Sequence, residues 1–415
     1  MTKVLWYISP VDGRYPWAED GRYPVDHSRL QRLAQTIDRR GYYGALLGTY
    51  AHDVWTTAST LLPPTQRLRF LLPVYPGVIS PTYLAQQALT FEDHSGGRLL
   101  FNAVKGTESI SRSFGLNISN DVRYAVSEEY WELFKKVYQG KPITEPGKCW
   151  DLTELAEGAP TEVDGVNGTE ALGLGPIQLP HTPIWGAAAS PAGIEHSARV
   201  LDEFLAFWDR PDKLAKLFGD VKKAAAAQGR QVKLGVHGSV IERETEEEAW
   251  AHAQWLLDQT TGPGLRAFAD AALQGRQGVP GGVEDLSSDD PQVQFRIDTL
   301  KASRVPKARD LEIAPNLWSG VTPWSPLDPQ GAGWGTFIVG DPKQVADRIH
   351  ELEEEYSIDS LILSNWPLAE EAERFADLVL PLLDLDHDAP ALSRPTANLP
   401  QEKGYGLRQP VSAAG

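Results

Sequence analysis

Four short segments of the chain carry residues whose types and spacing suit chemistry. Ser190, with Ala192 and Gly193, follows a β-like run and opens a helix-like run. Free backbone N–H groups and the positive end of a helix dipole at such a junction bind phosphate, and a serine hydroxyl adds a donor. A plain N-cap serine before proline is the competing explanation. Asn102 is a polar residue inside the apolar run LLFNAV. A buried amide needs partners, which the polar edge of a bound ligand or the surrounding backbone would provide. His237 and His52 are candidate acid–base groups, because imidazole titrates near neutrality. His237 is followed by Gly238, where a missing side chain leaves room for a ligand. His52 precedes Asp53, which begins a helix and is explained by capping.

The elements that must position these groups alternate. Eight strand-like runs are expected at 4–9, 44–47, 69–75, 98–104, 183–188, 203–207, 231–241 and 359–364. Helix-like stretches separate them, several with proline in the first turn. Two stretches, near 140–180 and 260–315, lack clear periodicity and are expected to be irregular insertions. Repeated βα units imply a parallel sheet with right-handed crossovers. Eight of them fit an α/β fold, a (β/α)8 TIM-like barrel, with an open doubly wound sheet as the alternative. The expected organisation is one barrel domain over 1–385 and an extended C-terminal tail over 386–415. In such a barrel, chemistry sits at the C-terminal ends of the strands.

Composition narrows the function class. The chain has 415 residues, 39 Lys+Arg against 56 Asp+Glu, and a formal net charge of −17. A strongly acidic chain without a basic cluster is a poor partner for nucleic acid or anionic membranes. No apolar run reaches the roughly 18–20 residues needed to span a bilayer, and the N-terminus has no secretory signal, so a cytoplasmic location is expected. Cys149 is the only cysteine, which excludes a disulfide framework and a Cys-rich metal site.

Four separated motifs carry a family resemblance. Gly96–Gly106 (GGRLLFNAVKG) looks like the SGGR…N-x-V-T-G segment of the bacterial luciferase-like flavin monooxygenases. Ala187-Ala188-Ala189-Ser190-Pro191-Ala192-Gly193 resembles the A-G-A-S-P-A-G turn of that superfamily. Pro315–Gly320 (PNLWSG) with Thr336–Asp341 (TFIVGD), and Leu361–Pro367 (LILSNWP) with Glu370-Glu371-Ala372, are similar to the alkanesulfonate monooxygenase branch. The resemblance implies a barrel that takes reduced FMN from a separate NAD(P)H:flavin reductase. It implies oxidation of a small organic substrate with O2 through a flavin peroxide, in a homo-oligomer such as a dimer or tetramer. It also assigns Tyr124 to the flavin, and Ala189, Ser190 and Gly193 to its phosphate. Lys105 stands where the family has threonine, free to meet a flavin carbonyl, a substrate anion or water.

Departures from the sulfonate branch fall in the pocket. Ala51 replaces a cysteine; His237 and Ser239 stand where the branch carries Arg and His; Trp366 replaces a tyrosine. The turn 330–335, QGAGWG, has no cation where the branch has arginine. A desolvated sulfonate needs fixed cations or many donors. The gains are aromatic: Trp324, Trp334, Trp366 and Trp6 suggest a flatter or more apolar substrate, while an organosulfur compound stays open. Arg296, Lys301, Arg304 and Arg309 lie in the second irregular stretch, either recovering an anion contact on lid closure or facing solvent. Two alternatives remain: a deazaflavin-dependent oxidoreductase on the same barrel, and a catalytically silent binding protein.

Overall fold

The computed structural model describes residues 2–48, 52–104, 108–119, 122–141, 143–153, 176–274, 279–322, 327–329 and 335–386. The elements run β1 (Lys3–Ile8), α1 (His27–Arg39), β2 (Gly44–Leu47), α2 (Val54–Leu61), β3 (Arg69–Val74), α3 (Pro81–Ser95) and β4 (Leu99–Ala103). They continue with α4 (Glu108–Ser113), α5 (Arg123–Tyr138), β5 (Ile184–Ala187), α6 (Pro191–Val200), β6 (Glu203–Phe207), α7 (Pro211–Ala227), β7 (Lys233–Glu242) and α8 (Glu246–Asp258). Then come α9 (Gly262–Ala272), α10 (Pro291–Lys301), β8 (Glu312–Ala314), β9 (Leu317–Ser319), β10 (Thr336–Gly340), α11 (Pro342–Tyr356), β11 (Ser360–Ser364) and α12 (Leu368–Leu378).

Eight parallel strands close into a barrel in the order β1 to β7, then β11, which returns to β1. These are the eight strands expected from the sequence, each within two residues at either end. The fold is a (β/α)8 barrel. β7 is ten residues long and serves three partners: β6 along its first half, β11 and β10. Its first part pairs with β11 from Gly235 to Ser239, and its last part with β10 from Ser239 to Glu242. β10, β9 and β8 form an antiparallel extension beside the barrel. The sequence reading did not anticipate this extension, since two of its strands have three residues each.

Helix starts follow a repeated local rule. Ser80, Ser190, Asp290 and Asp341 each cap a helix with the side chain and are followed by proline. The side-chain oxygen satisfies an orphan N–H while proline removes another. The expectation of an irregular 260–315 stretch is corrected here: α9 and α10 fill much of it. Their Gly and Pro neighbours read as loop, but Thr261 and Asp290 are caps. The tail from 387 onward lies outside the described residues, as does 154–175 of the first insertion.

Outward strand residues build the layer under the helices. Phe101 packs on Trp131 and Phe134 of α5, and Phe70 on Phe91 of α3. Trp6 belongs to this layer and not to a pocket. It is fully buried against Tyr42 and Phe375, and its indole N–H donates to Leu368 O at 3.0 Å. A buried tryptophan needs such a partner for its one donor.

Toward the N-terminal ends of the strands, Glu203 of β6 accepts a hydrogen bond from the Ser360 hydroxyl of β11. A Cβ at position 235, between them, would lie 2.3 Å from Ser360 Oγ, so glycine is required for this pair to meet. Burial pushes the Glu203 carboxyl up from 4.5 to about 7. A carboxyl raised in the folded state gives stability that is complete below its unfolded value and is lost as pH rises toward 7. A shift of this size is worth about 3 kcal/mol. Glu203→Gln is therefore expected to lose about 3 kcal/mol less stability than wild type between pH 4.5 and 8, read by urea denaturation at each pH. Equal losses in both proteins would contradict the assignment.

Candidate active site

The site-bearing residues gather in two sectors at the C-terminal ends of the strands. The first sector lies at β4, β5 and α5. Ser190 caps α6, its Oγ accepting from Gly193 N at 3.1 Å. The Tyr124 hydroxyl stands 2.9 Å from the same Oγ. Arg123 donates to the Tyr124 hydroxyl at 3.3 Å and lies 4.9 Å over its ring. Gly193 makes this approach feasible: a Cβ there would sit 2.8 Å from Ala188 Cβ and 3.0 Å from Tyr124 OH. Ala189, Ser190, Pro191 and Ala192 are exposed, so the start of α6 is open to a ligand. One guanidinium, two hydroxyls and a helix N-terminus form a cradle of the kind that holds a phosphate. Arg123 was missed by the sequence reading, although it stands next to Tyr124.

Asn102 projects on the same side of the sheet as its register neighbours Pro73 and Trp185. Its half-buried amide has no hydrogen bond to another described residue. An amide in that state is available to a ring edge with paired donors and acceptors.

The second sector lies at β1, β6, β7 and β11. The His237 ring stacks on Phe207 at 5.3 Å and 30°, and faces Tyr7 at 6.4 Å and 32°. The Tyr7 hydroxyl fills the space beside Gly48, where a Cβ would come within 2.2 Å of it. Desolvation between the rings drives the His237 pKa down to about 4. The imidazole is thus neutral at ordinary pH, with one nitrogen donating and the other accepting. Tyr7 and Phe207 were not singled out from the sequence; their positions at strand ends facing His237 were the only signal. The expectation that Gly238 leaves room for a ligand is corrected. A Cβ there would lie 1.4 Å from Trp208 Cδ1, so the buried Trp208 indole occupies that space.

Ser239 is buried, with its hydroxyl 2.9 Å from that of Ser364. Trp366 is also buried, and its backbone N donates to Asn365 Oδ1 at 2.9 Å. Asn365 donates to Glu371 at 2.7 Å, and Arg243 at the exit of β7 holds the same carboxylate at 3.0 and 3.2 Å. This chain fixes the turn after β11 against β7. No described hydrogen bond or ring contact joins His52 or Asp53 to either sector. His52 is exposed, with its ring 6.4 Å from that of His27. The Asp53 carboxylate caps α2, accepting from Thr56 N at 2.7 Å. Lys105, Ala51, Trp324 and Trp334 lie outside the described residues. Among the described residues no group of three His, Cys, Asp or Glu is arranged to hold a metal ion, and no helix is long and apolar enough to cross a membrane.

The cradle permits a direct test. Gly193→Ala should push the Tyr124 hydroxyl off Ser190 and weaken FMN binding about tenfold, the worth of roughly one charge-assisted hydrogen bond, with the far-UV circular dichroism unchanged. Unaltered FMN affinity would argue against a phosphate at this turn.

Comparison with known proteins agrees with the barrel fold. The riboflavin lyase RcaE, solved with modified FMN and riboflavin, is 19% identical and covers 94% of each chain with a TM-score of 0.67. The long-chain alkane monooxygenase LadA is 19% identical over 94% of each chain, with a TM-score of 0.65. A coenzyme F420-dependent tetrahydromethanopterin reductase from Methanopyrus kandleri is 14% identical, covers 92% of this chain and 99% of its own, and has a TM-score of 0.60. Residues 14–357 match the model of the luciferase-like monooxygenases, and the chain belongs to that family.

Proposed function

We propose that this protein is a reduced-FMN-dependent monooxygenase of a two-component system, supplied with reduced flavin by a separate reductase. The observation that carries this reading is the cradle of Arg123, Tyr124, Ser190 and the α6 N-terminus in a luciferase-like barrel. When bound, reduced FMN would supply the two electrons that activate O2. The chain's own residues would do the rest. Ser190, Tyr124, Arg123 and the backbone at Gly193 would hold the phosphate. Asn102 would orient the ring by its edge. The stacked wall of Tyr7, His237 and Phe207 would exclude water and receive a flat, apolar part of an organic substrate. Neutral His237 would present an N–H to a developing oxygen and a lone pair to a proton. Ser239 and Trp366 would shape the pocket beyond it, in a homo-oligomer of this chain.

The F420-dependent likeness supports a second reading, hydride transfer with a deazaflavin, whose chain also carries a phosphate. An assay separates the two. The protein is incubated with FMN, NADH, a flavin reductase, ¹⁸O2 and a panel of aromatic and organosulfur compounds. The first reading expects ¹⁸O in a product only when reductase is present. Tight binding of reduced F420 with no binding of reduced FMN would overturn it in favour of the second.

A further inference from the structure

His196 of α6 is a fully buried imidazole at the seam between α5 and α6. Its Nε2 lies 2.9 Å from the hydroxyl of Ser127 on α5, which is buried as well. Its ring packs against the Tyr124 ring, with centroids 5.6 Å apart and planes tilted by 47°. The Tyr124 hydroxyl is the group that stands 2.9 Å from Ser190 Oγ at the start of α6. On the open side, among the described residues, only the Arg123 guanidinium and Ser190 meet that hydroxyl. His196 therefore supports, from the buried side, a side chain that ends in the exposed cradle.

Spacing explains why these residues meet. Tyr124 and Ser127 are three apart on α5, and Gly193 and His196 are three apart on α6. Residues at that spacing share one helix face. The α6 face is bare at Gly193 and filled at His196. A Cβ at 193 would come within 3.0 Å of the Tyr124 hydroxyl, so glycine lets the hydroxyl in. At 196 the imidazole stops the ring from swinging deeper. The hydrogen bond to Ser127 holds the imidazole in turn, because turning it would leave a buried polar group without that partner. Leucine at 196 would fill similar volume but offer Ser127 nothing, and the floor under Tyr124 would be free to turn.

We infer that His196 is a positioning residue of the cofactor site. By fixing the Tyr124 ring it keeps the hydroxyl on Ser190, and so sets the preference for a phosphorylated flavin over an unphosphorylated one. It acts through Tyr124 and not by touching the flavin, because its own ring is buried beneath that tyrosine. This rests on the reading of the start of α6 as the phosphate site.

The test is an anaerobic titration of the full-length protein and its variants with reduced FMN and with reduced riboflavin. His196→Leu should lose about tenfold in FMN affinity and none in riboflavin affinity. Ser127→Ala keeps the imidazole but removes its anchor, and should lose about threefold for FMN alone. It guards against a leucine variant that fails to fold. The decisive readout is coupling: in a Tyr124→Phe background, His196→Leu should weaken FMN binding no further, because the hydroxyl it positions is gone. Arg199→Ala breaks the exposed Arg199–Glu128 pair between the same two helices and should leave the FMN-to-riboflavin ratio unchanged. Losses that add across Tyr124 and His196, that fall equally on both flavins, or that Arg199→Ala reproduces would overturn the inference and leave helix packing as the only role. So would a wild-type FMN preference that persists in both His196→Leu and Ser127→Ala. A wild type with no preference for FMN would sink the phosphate reading, and this inference with it.

Discussion

Closure of β1 against β11 is the constraint on which everything else depends. Lys3 to Trp6 align with Ser360 to Leu363, residues more than 350 positions apart. Once that ladder forms, every strand has two neighbours and no barrel edge is left to aggregate. Closure also forces all eight strand exits to one end, so residues distant in sequence converge there. The cost appears inside the ring, where Glu203 and Ser360 are buried together over Gly235. A β-branched residue at 235 would disrupt the barrel from within.

The two sectors at the strand exits divide the work by chemistry. Around β4 and β5, hydroxyls, a guanidinium and a helix start meet an exposed surface, which suits a charged phosphate. Around β1, β6 and β7, three rings come together, which suits an apolar body, and burial keeps His237 uncharged. Burial among these rings disfavours the charged imidazole. The β8–β10 extension pairs with the last part of β7, and β7 is long because it carries both the barrel wall and that extension.

Much of this was legible in the sequence, for identifiable reasons. Strands buried on both faces read as continuous apolar runs, and Ser–Pro or Asp–Pro steps marked helix starts. Ser190 and Gly193 were singled out because a serine–proline step at a strand-to-helix junction has a fixed local grammar, and Tyr124 because of the family resemblance. The remainder was tertiary. Nothing local separates Trp6, which faces the helices, from Tyr7, which faces the lumen; only strand parity in the closed barrel does so. Gly238 looked like space for a ligand, but Trp208, just past the end of β6, fills it. β8 and β9 are too short to show a period, and α10 was hidden by the Pro and Gly around it.

The central claim is that the start of α6 reads a flavin phosphate. The direct measurement is an anaerobic titration of the protein with reduced FMN and, separately, with reduced riboflavin, which lacks that group. The account predicts that reduced FMN binds at least tenfold more tightly, and that Ser190→Ala with Tyr124→Phe narrows the gap. Equal affinity for the two flavins, or a gap that survives both substitutions, would contradict it.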